Sequence, residues 1–549
     1  MLPNLSIYGN GGIYMITHAD GKVIAEKRED LLPVKILASQ GVSNSEHLLA
    51  AKAPCVSFSK ASCAAFTGAG AHILLDFGKE LCGSARIVIR SVDTPNKNCK
   101  WRITFGESVS EACSTIGVKN AGNDHSPRDF EIETPFMSDL TFGQSGFRFL
   151  RLELLTDCTV LMRNIFAVSI EPDFPRQATI ITNDARLNEI IDTAARTVKL
   201  CFQNGYAWDG IKRDRLVWCG DLHPEILTSL YLFGDTPNIK NSLDFLRDET
   251  PADQWVNNMP PYSAWWVINL CDYCKIIGDR TYYQKNRDYV LQVMAHINEC
   301  FESDGSYSFT GTNGSETFLD WSTYRTPDAP YGAAAVYCFA AQKVLELEEN
   351  KDCRAILEKL QKYQTFDSNR KPVRAFQIVA GRSQNGDLAM LEKDGAADFS
   401  TFMAYYILTA MARLGGSNML DTLKTYYGAM LDRGATTFWE DFDMQWLEGS
   451  GRIDQMPTAD EKDIHGDYGK FCYTQFRHSL CHGWSAGVLA FIVEHIIGLK
   501  IEGNHVSVTP HPMGLTDIRA RIPVSSGWLD ISICDGKLQV IASDGITVN

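Results

Sequence analysis

Positive charge is scarce in this chain. Its 52 Lys and Arg face 67 Asp and Glu, a net charge of −15, and no basic run stands out. Nucleic acid and anionic membrane surfaces are therefore poor partners. Long apolar runs are also missing. No stretch approaches the roughly eighteen residues that a spanning helix needs, so no membrane association is expected. The opening MLPNLSIYGNGGIYMITHAD lacks a cationic segment followed by a long apolar one, and the expectation is a cytoplasmic protein. The sixteen cysteines are scattered, several inside apolar runs (Cys201, Cys271, Cys338, Cys481). Cys271 and Cys274 form the single close pair, within a helical pattern and without a second pair. Reduced, buried thiols are expected rather than disulfides, zinc or redox chemistry. No fixed-period repeat is found, which argues against a solenoid.

What is present changes along the chain. Up to about residue 175 the segments HILLDFG, SARIVIRSV, WRITFGE, GFRFLRLELL and TVLMRNIFAVSI alternate with Gly, Asn, Pro and Ser clusters, as short antiparallel strands do. From about 183 to 498 apolar residues recur at helical spacing. Helices are expected near 184–202, 225–233 and 240–247, at Tyr262–Ile277, Tyr283–Cys300, Tyr331–Leu347, Asp352–Lys362, Ser400–Leu414 and Met419–Leu431, and finally at Gln475–Ile497. Consecutive helices with short connections form antiparallel hairpins, and a closed ring of them is favoured. From 499 strands return, with Asp535-Gly536 suited to a type I′ hairpin turn. The expected layout is a multidomain α and β chain. Residues 1–175 form an antiparallel β-sandwich, 176–498 an (α/α)6 six-hairpin barrel, and 499–549 a small β domain packed on its neighbours.

Chemistry concentrates in Trp208–Glu225, WDGIKRDRLVWCGDLHPE. Carboxylates, cations and two tryptophans crowd a loop between two helices, and loops held by rigid helices are where binding and catalysis gather. An acidic, tryptophan-lined mouth suits a neutral polar ligand with apolar faces. A sugar fits, its C–H faces on indole and its hydroxyls on carboxylates and arginine. Glycoside hydrolysis would require two carboxyl groups flanking the bond, and spacing alone does not choose among the many candidates.

The run Asp209…Arg213-Asp214-Arg215-Leu216-Val217-Trp218-Cys219-Gly220-Asp221 resembles the signature loop of the α-L-rhamnosidases of glycoside hydrolase family 78. Further matching stretches are Gly434-Ala435-Thr436-Thr437-Phe438-Trp439-Glu440, Ser479-Leu480-Cys481-His482-Gly483, Asp320-Trp321 and Trp265-Trp266. In the front region Leu75–Leu81 and Thr104–Glu107 add to them. The resemblance runs from about residue 70 to the C-terminus. It implies an (α/α)6 barrel flanked by β-sandwiches and inverting hydrolysis of a terminal α-L-rhamnosyl bond by a Glu acid and a Glu base, without a cofactor.

The signature loop departs from the family at the acid. Members usually read Asp-Cys-Pro-x-Arg-Asp-Glu-Arg-Leu-Gly-Trp-x-Gly-Asp, whereas this loop is one residue shorter and has no such Glu. Aligned from the right, Asp214 takes the acid's slot; aligned from the left, the acid is deleted. The first alignment is preferred. The resemblance then makes Asp214 the acid and Glu440 the base, with Asp441 and Glu448 as substitutes. It assigns hydroxyl binding to Asp209, Arg213, Asp221, Asp320 and His482, and aromatic contacts to Trp218, Trp266, Trp321 and Trp439. His478 and His482, four apart on a presumed helix, could suggest a metal, but no third ligand is spaced to join them. The expected partner is a small rhamnoside, with neither nucleic acid nor membrane, and a homodimer is allowed. The rival readings are a sugar-binding homologue that lost its acid and a hydrolase for another neutral or deoxy sugar.

Overall fold

The computed structural model describes residues 12–18, 21–309, 312, 314–362 and 368–549. The first eleven residues of the front region and part of the 308–329 loop lie outside them.

Ten strands make one antiparallel sheet at the front of the chain. They are β1 (Gly12–Thr17), β2 (Val23–Leu31), β3 (Lys35–Gln40), β4 (Val42–Ser43), β5 (Ala64–Thr67), β6 (His72–Val92), β7 (Asn98–Gly106), β8 (Asp129–Pro135), β9 (Asp139–Leu154) and β10 (Thr159–Pro172). The main path runs β1-β2-β10-β6-β9-β7-β8, with β3 added on β6, β5 on β10 and β4 on β5. HILLDFG and SARIVIRSV, expected as two strands, are one. The register to β9 shifts between Asp76 and Leu81, and Gly78 at φ 84° lets the chain bulge there instead of turning away. The core of the sheet is a cluster including Leu75, Phe77, Ile87, Trp101, Ile103, Phe147 and Leu152.

Among the described residues twelve α-helices follow: α1 (Ala185–Cys201), α2 (Leu222–Phe233), α3 (Pro237–Glu249), α4 (Pro260–Ile277), α5 (Arg280–Glu299), α6 (Ala329–Leu345), α7 (Lys351–Lys362), α8 (Lys371–Val379), α9 (Asp387–Glu392), α10 (Met403–Arg413), α11 (Met419–Asp432) and α12 (Gly487–Phe491). None among the described residues is long and apolar enough to cross a membrane. α1 starts where Asp184 caps the Leu187 amide at 2.9 Å, and it buries Leu187, Ile190, Ile191, Ala194, Val198 and Cys201, the face its spacing predicts. α4 stops at Gly278 in the left-handed region. α8 and α9 are unexpected from the pattern, although Pro372 stands in the first turn of α8, a usual helix-start signal. The even-numbered helices pack in sequence: α2 on α4, α4 on α6, α6 on α8, α8 on α10, α10 on α12, and α12 back on α2.

The long final helix expected at Gln475–Ile497 is broken. Residues 475–477 form a 3-10 turn and 478–482 an extended segment, and regular α-helix occupies only Gly487–Phe491 before a π-turn at Ile492–Ile496. His482 pairs with Gly210 as an isolated bridge, and the Glu440 amide donates to Ser479 O at 2.9 Å. These long-range partners outbid the helix for the backbone of 478–482.

β11 (Thr179–Thr182), β14 (Asp517–Val524), β15 (Gly527–Cys534) and β16 (Lys537–Ala542) make a second sheet, while β12 (Leu499–Glu502) and β13 (His505–Val508) pair separately. Its inward residues Ile518, Ile522, Leu529 and Ile531 share the large helical core. Asp535 and Gly536 both have positive φ, 47° and 76°, as the type I′ turn requires. All sixteen cysteines are free.

Candidate active site

The 208–221 loop leaves α1 and leads into α2 through two successive residues in the left-handed region, Asp214 (φ 55°) and Arg215 (φ 59°). Neither is glycine, and each such residue costs of order 1 kcal/mol. Strain of this kind persists where surrounding contacts over-determine it. Here the Asp209 carboxylate accepts from the Leu216 amide at 2.9 Å and the Arg215 guanidinium lies over the Trp208 ring. The result aims Asp214 into a cleft of about 70 Å³, also lined by Asp209, Arg213, Trp218, Asp221, Trp321, Glu440, His482 and Trp484.

Arg213 is the centre of the cleft floor. One prong of its guanidinium donates to Asp214 Oδ1 at 2.9 Å and the other to Glu440 Oε1, while its Nε donates to Arg477 O at 3.1 Å. A planar fork bonded at three points holds its partners in fixed relation. Asp214 Oδ2 accepts from Trp218 Nε1 at 3.2 Å. Glu440 Oε2 accepts from the Ser479 amide at 3.0 Å, and the Glu440 carbonyl accepts from Trp484 Nε1 at 2.9 Å. Two carboxylates 226 positions apart in sequence thus sit on the two prongs of one cation.

Beneath this pair lies a layer of acids without a direct cation partner. Burial, and then the charges of Asp214 and Asp221, push the Asp209 carboxyl well above the usual range. Burial likewise raises Asp221 and Glu225, and neither Glu225 oxygen has a hydrogen-bond partner. Each is pushed toward its protonated form, because an isolated buried anion is costly. His482 Nε2 lies 3.0 Å from Asp221 Oδ1. Burial lowers its pKa to about 4, so the ring is neutral, and Nδ1 has no partner. Gly483 packs directly on Glu225: a Cβ there would stand 2.0 Å from Oε1, so only glycine fits.

The walls are aromatic. Trp218 meets Tyr262 edge-on at 6.0 Å, Trp321 stacks on Phe471 at 6.1 Å, and Trp484 lies 4.4 Å from the His482 ring. Among the expected site residues, Asp209, Arg213, Asp214, Trp218, Asp221, Trp321, Glu440 and His482 are brought together. Three are not. Trp266 is fully buried in α4, its indole donating to Leu243 O at 3.0 Å and packing on Tyr289. Trp439 packs on Phe442 and the edge of His478. Asp320 caps the following turn, accepting from the Trp321 amide, Ser322 and Ser400 at 2.7–2.8 Å. Each faces protein: the Trp266 indole and the Asp320 carboxylate find partners there, whereas Trp439 is buried with its Nε1 unpartnered.

His478 and His482 do not form a metal pair. They lie on the extended segment, His478 Nε2 accepts from the Asp441 amide at 2.9 Å, and His482 turns to Asp221. Pattern reading misses Tyr262, Met259, Phe318 and Cys472 in the lining. It also misses His125, whose Nε2 reaches within 3.5 Å of Asp214 from the front region. No sequence-local signal marks these residues, since long-range folding brings them in.

With this geometry in hand, comparisons with known proteins are informative. Residues 175–344 match the family described as bacterial α-L-rhamnosidase six-hairpin glycosidase domain. Similar solved structures include the family 78 rhamnosidase of Bacillus sp. GL1, with a TM-score of 0.67 and 19% identity over 87% of this chain and 53% of that one. The Klebsiella oxytoca rhamnosidase with rhamnose bound gives 0.66 and 18%, covering 85% and 96%. The Streptomyces avermitilis α-L-rhamnosidase complexed with L-rhamnose gives 0.63 and 15%, covering 87% and 48%. The chain thus spans about half the length of the Bacillus and Streptomyces proteins and nearly all of the Klebsiella one. At these identities the likeness is one of fold. No curated protein matches the chain in sequence.

Proposed function

Because residues 175–344 match the bacterial α-L-rhamnosidase six-hairpin glycosidase domain, we propose that the chain is an inverting glycoside hydrolase. Its substrate is a small rhamnoside, from which it releases terminal α-L-rhamnose. The even-numbered helices are the inner ring of an (α/α)6 barrel, and the cleft lies at one of its mouths. The observation that carries this reading is the shared guanidinium. Arg213 holds Asp214 and Glu440 on separate prongs of one guanidinium in a tryptophan-lined cleft.

In the proposed reaction Asp214 gives a proton to the glycosidic oxygen as that bond breaks. Glu440 takes a proton from the water that attacks the anomeric carbon from the opposite face. Inversion asks for about 6.5–9.5 Å between the two carboxyl groups, which leaves room for that water. Both Glu440 oxygens are already bonded, but each carboxylate oxygen keeps a second lone pair for the water. Asp214 is one methylene shorter than the family's Glu, and it stands on the left-handed turn at Asp214 and Arg215 that lines the cleft. Neutral His482 and the acids Asp209 and Asp221, which burial pushes toward their protonated forms, offer hydrogen bonds to sugar hydroxyls, and Trp218, Trp321 and Trp484 cover the ring and its methyl group.

The test is hydrolysis of p-nitrophenyl α-L-rhamnoside. Asp214→Asn and Glu440→Gln should each lower kcat by about 10²–10⁴-fold, and proton NMR of the first product should show the β anomer. Full activity in Asp214→Asn removes it as the acid. Rhamnose binding without turnover by the unaltered protein would favour a sugar-binding homologue, and turnover of a different glycoside would move the specificity.

A further inference from the structure

Glu107 stands at the end of β7, in the front sheet, yet it is fully buried against the helical part of the chain. Its Oε2 accepts from the Leu480 amide at 2.6 Å and its Oε1 from Ser479 Oγ at 3.3 Å. Ser479 is the residue whose amide holds Glu440 Oε2 at 3.0 Å. The same extended segment is gripped by two further groups. Lys212 Nζ donates to Phe476 O at 3.0 Å and to His478 O at 2.5 Å, and His465 Nε2 meets His478 O at 2.9 Å.

Glu107, Glu111 and His465 come close enough to suggest a metal triad, but their atoms are otherwise employed. Lys212 Nζ lies 2.9 Å from Glu107 and 3.3 Å from Glu111, and both His465 nitrogens are bonded, Nδ1 to Ser108 Oγ at 2.7 Å. The ammonium takes the place an ion would have. Glu111 differs from Glu107 in one useful way. It shares the Lys212 contact and accepts from the Glu107 amide at 2.8 Å, but among the described residues its side chain makes no hydrogen bond to 478–480.

We propose that Glu107 is a positioning residue for Glu440: the front sheet, through this side chain, fixes the Ser479–Leu480 backbone that orients the base. This rests on the reading of Glu440 given above. Without an acceptor at Leu480 the extended segment loses one of the bonds that keep it from relaxing toward the helix its sequence favours, and Ser479 N moves with it. Displacements of about 1 Å at a catalytic group cost on the order of 10²-fold in rate.

Reach and charge can be separated at this position. Glu107→Gln keeps an acceptor at full length but loses the charge beside Lys212; Glu107→Asp keeps the charge but withdraws by one methylene. With p-nitrophenyl α-L-rhamnoside, Glu107→Asp should lower kcat about tenfold or more while KM stays within about twofold, and Glu107→Gln should keep kcat within about threefold. Glu111→Gln should behave like Glu107→Gln. If Glu107→Asp is as active as Glu107→Gln or more so, the charge contact with Lys212 is what matters, and the positioning role is wrong. Loss of kcat in Glu107→Asp matched by an equal loss in Glu111→Gln also overturns it. Glu440→Gln, assayed alongside, keeps the two ideas apart. An active Glu440→Gln sinks the base assignment, whereas an inactive one with unaltered Glu107 variants sinks only the brace.

Discussion

Glu225 and Asp272 are both acids buried inside the ring of helices, and they behave in opposite ways. Asp272, on α4, is buried too, yet Lys343 at 2.5 Å and His223 at 3.1 Å offset the burial and hold its carboxyl down to about 2. Glu225, two residues from that same His223 on α2, has no hydrogen-bond partner, and burial with the nearby charges of Asp221 and Asp209 drives it up. One acid belongs to a closed, paired network that includes Tyr406 on His223 Nδ1 at 2.8 Å. The other, pushed by burial toward its protonated form, supports the cleft, and Gly483 packs against it. The contrast shows that burial alone does not set the state of an acid; the presence or absence of a cation in contact does.

The most forceful way to break this contrast is to remove the cation. Lys343→Met leaves Asp272 buried without its ammonium, and losing one partner of a buried pair costs about 3–5 kcal/mol. Chemical denaturation should show a loss of that size, with the cleft chemistry altered only through the fraction unfolded. A loss under about 1 kcal/mol would mean that solvent or His223 compensates.

The next test sharpens the other half. A carboxyl whose folded pKa is raised adds stability below its unfolded value, here 4.5, and that contribution fades as pH rises toward the folded value. Glu225→Gln has no proton to lose, so its stability relative to the parent should increase from about pH 4.5 upward, by at most about 1.4 kcal/mol per pH unit. Thermal melts at pH 4.5, 6 and 7.5 would check the sign. A difference that stays flat across this range would mean that Glu225 is ionised in the fold. Asp272 runs the other way: its contribution is present above 3.8 and is lost as pH falls through about 2.

The smallest effect separates two tryptophans that look alike in sequence. Trp321→Ala should raise KM for the aryl rhamnoside about tenfold, since it strips one wall of the cleft. Trp266→Phe, altering a core residue, should leave kcat/KM within about twofold while lowering the melting temperature. Reversed effects would place Trp266 at the sugar and overturn the division between wall and core drawn above.

Much of the architecture can be read from the residues. The face of α1, the stop at Gly278, the Asp535-Gly536 turn and the change from strand to helix near 183 are local matters of period, capping and φ preference. Each is decided within a few residues, and each appears as expected. The motif residues Arg213, Asp214 and Glu440 were also legible, through the resemblance. The failures share a cause. Residues 478–482 have a helical pattern, but Glu440, Gly210 and Glu107 compete for their backbone from distant parts of the chain, and the helix loses. Trp266, Trp439 and Asp320 carry the right chemistry for a sugar site, but an indole or a carboxylate serves a core or a turn equally well, and composition does not reveal which way it points.

The sequence by itself determined which segments are strands and which are helices, where most of them stop, and which loop is rich enough in acids and indoles to do chemistry. Tertiary structure alone decided that Arg213 would join Asp214 to a glutamate 226 positions later and that a front-sheet glutamate would reach the same loop. It also decided that neighbouring acids would differ in charge. Local preference acts over one or two turns of chain, whereas the state of a carboxyl depends on which cation, amide or indole arrives beside it, and only the closed fold brings those together.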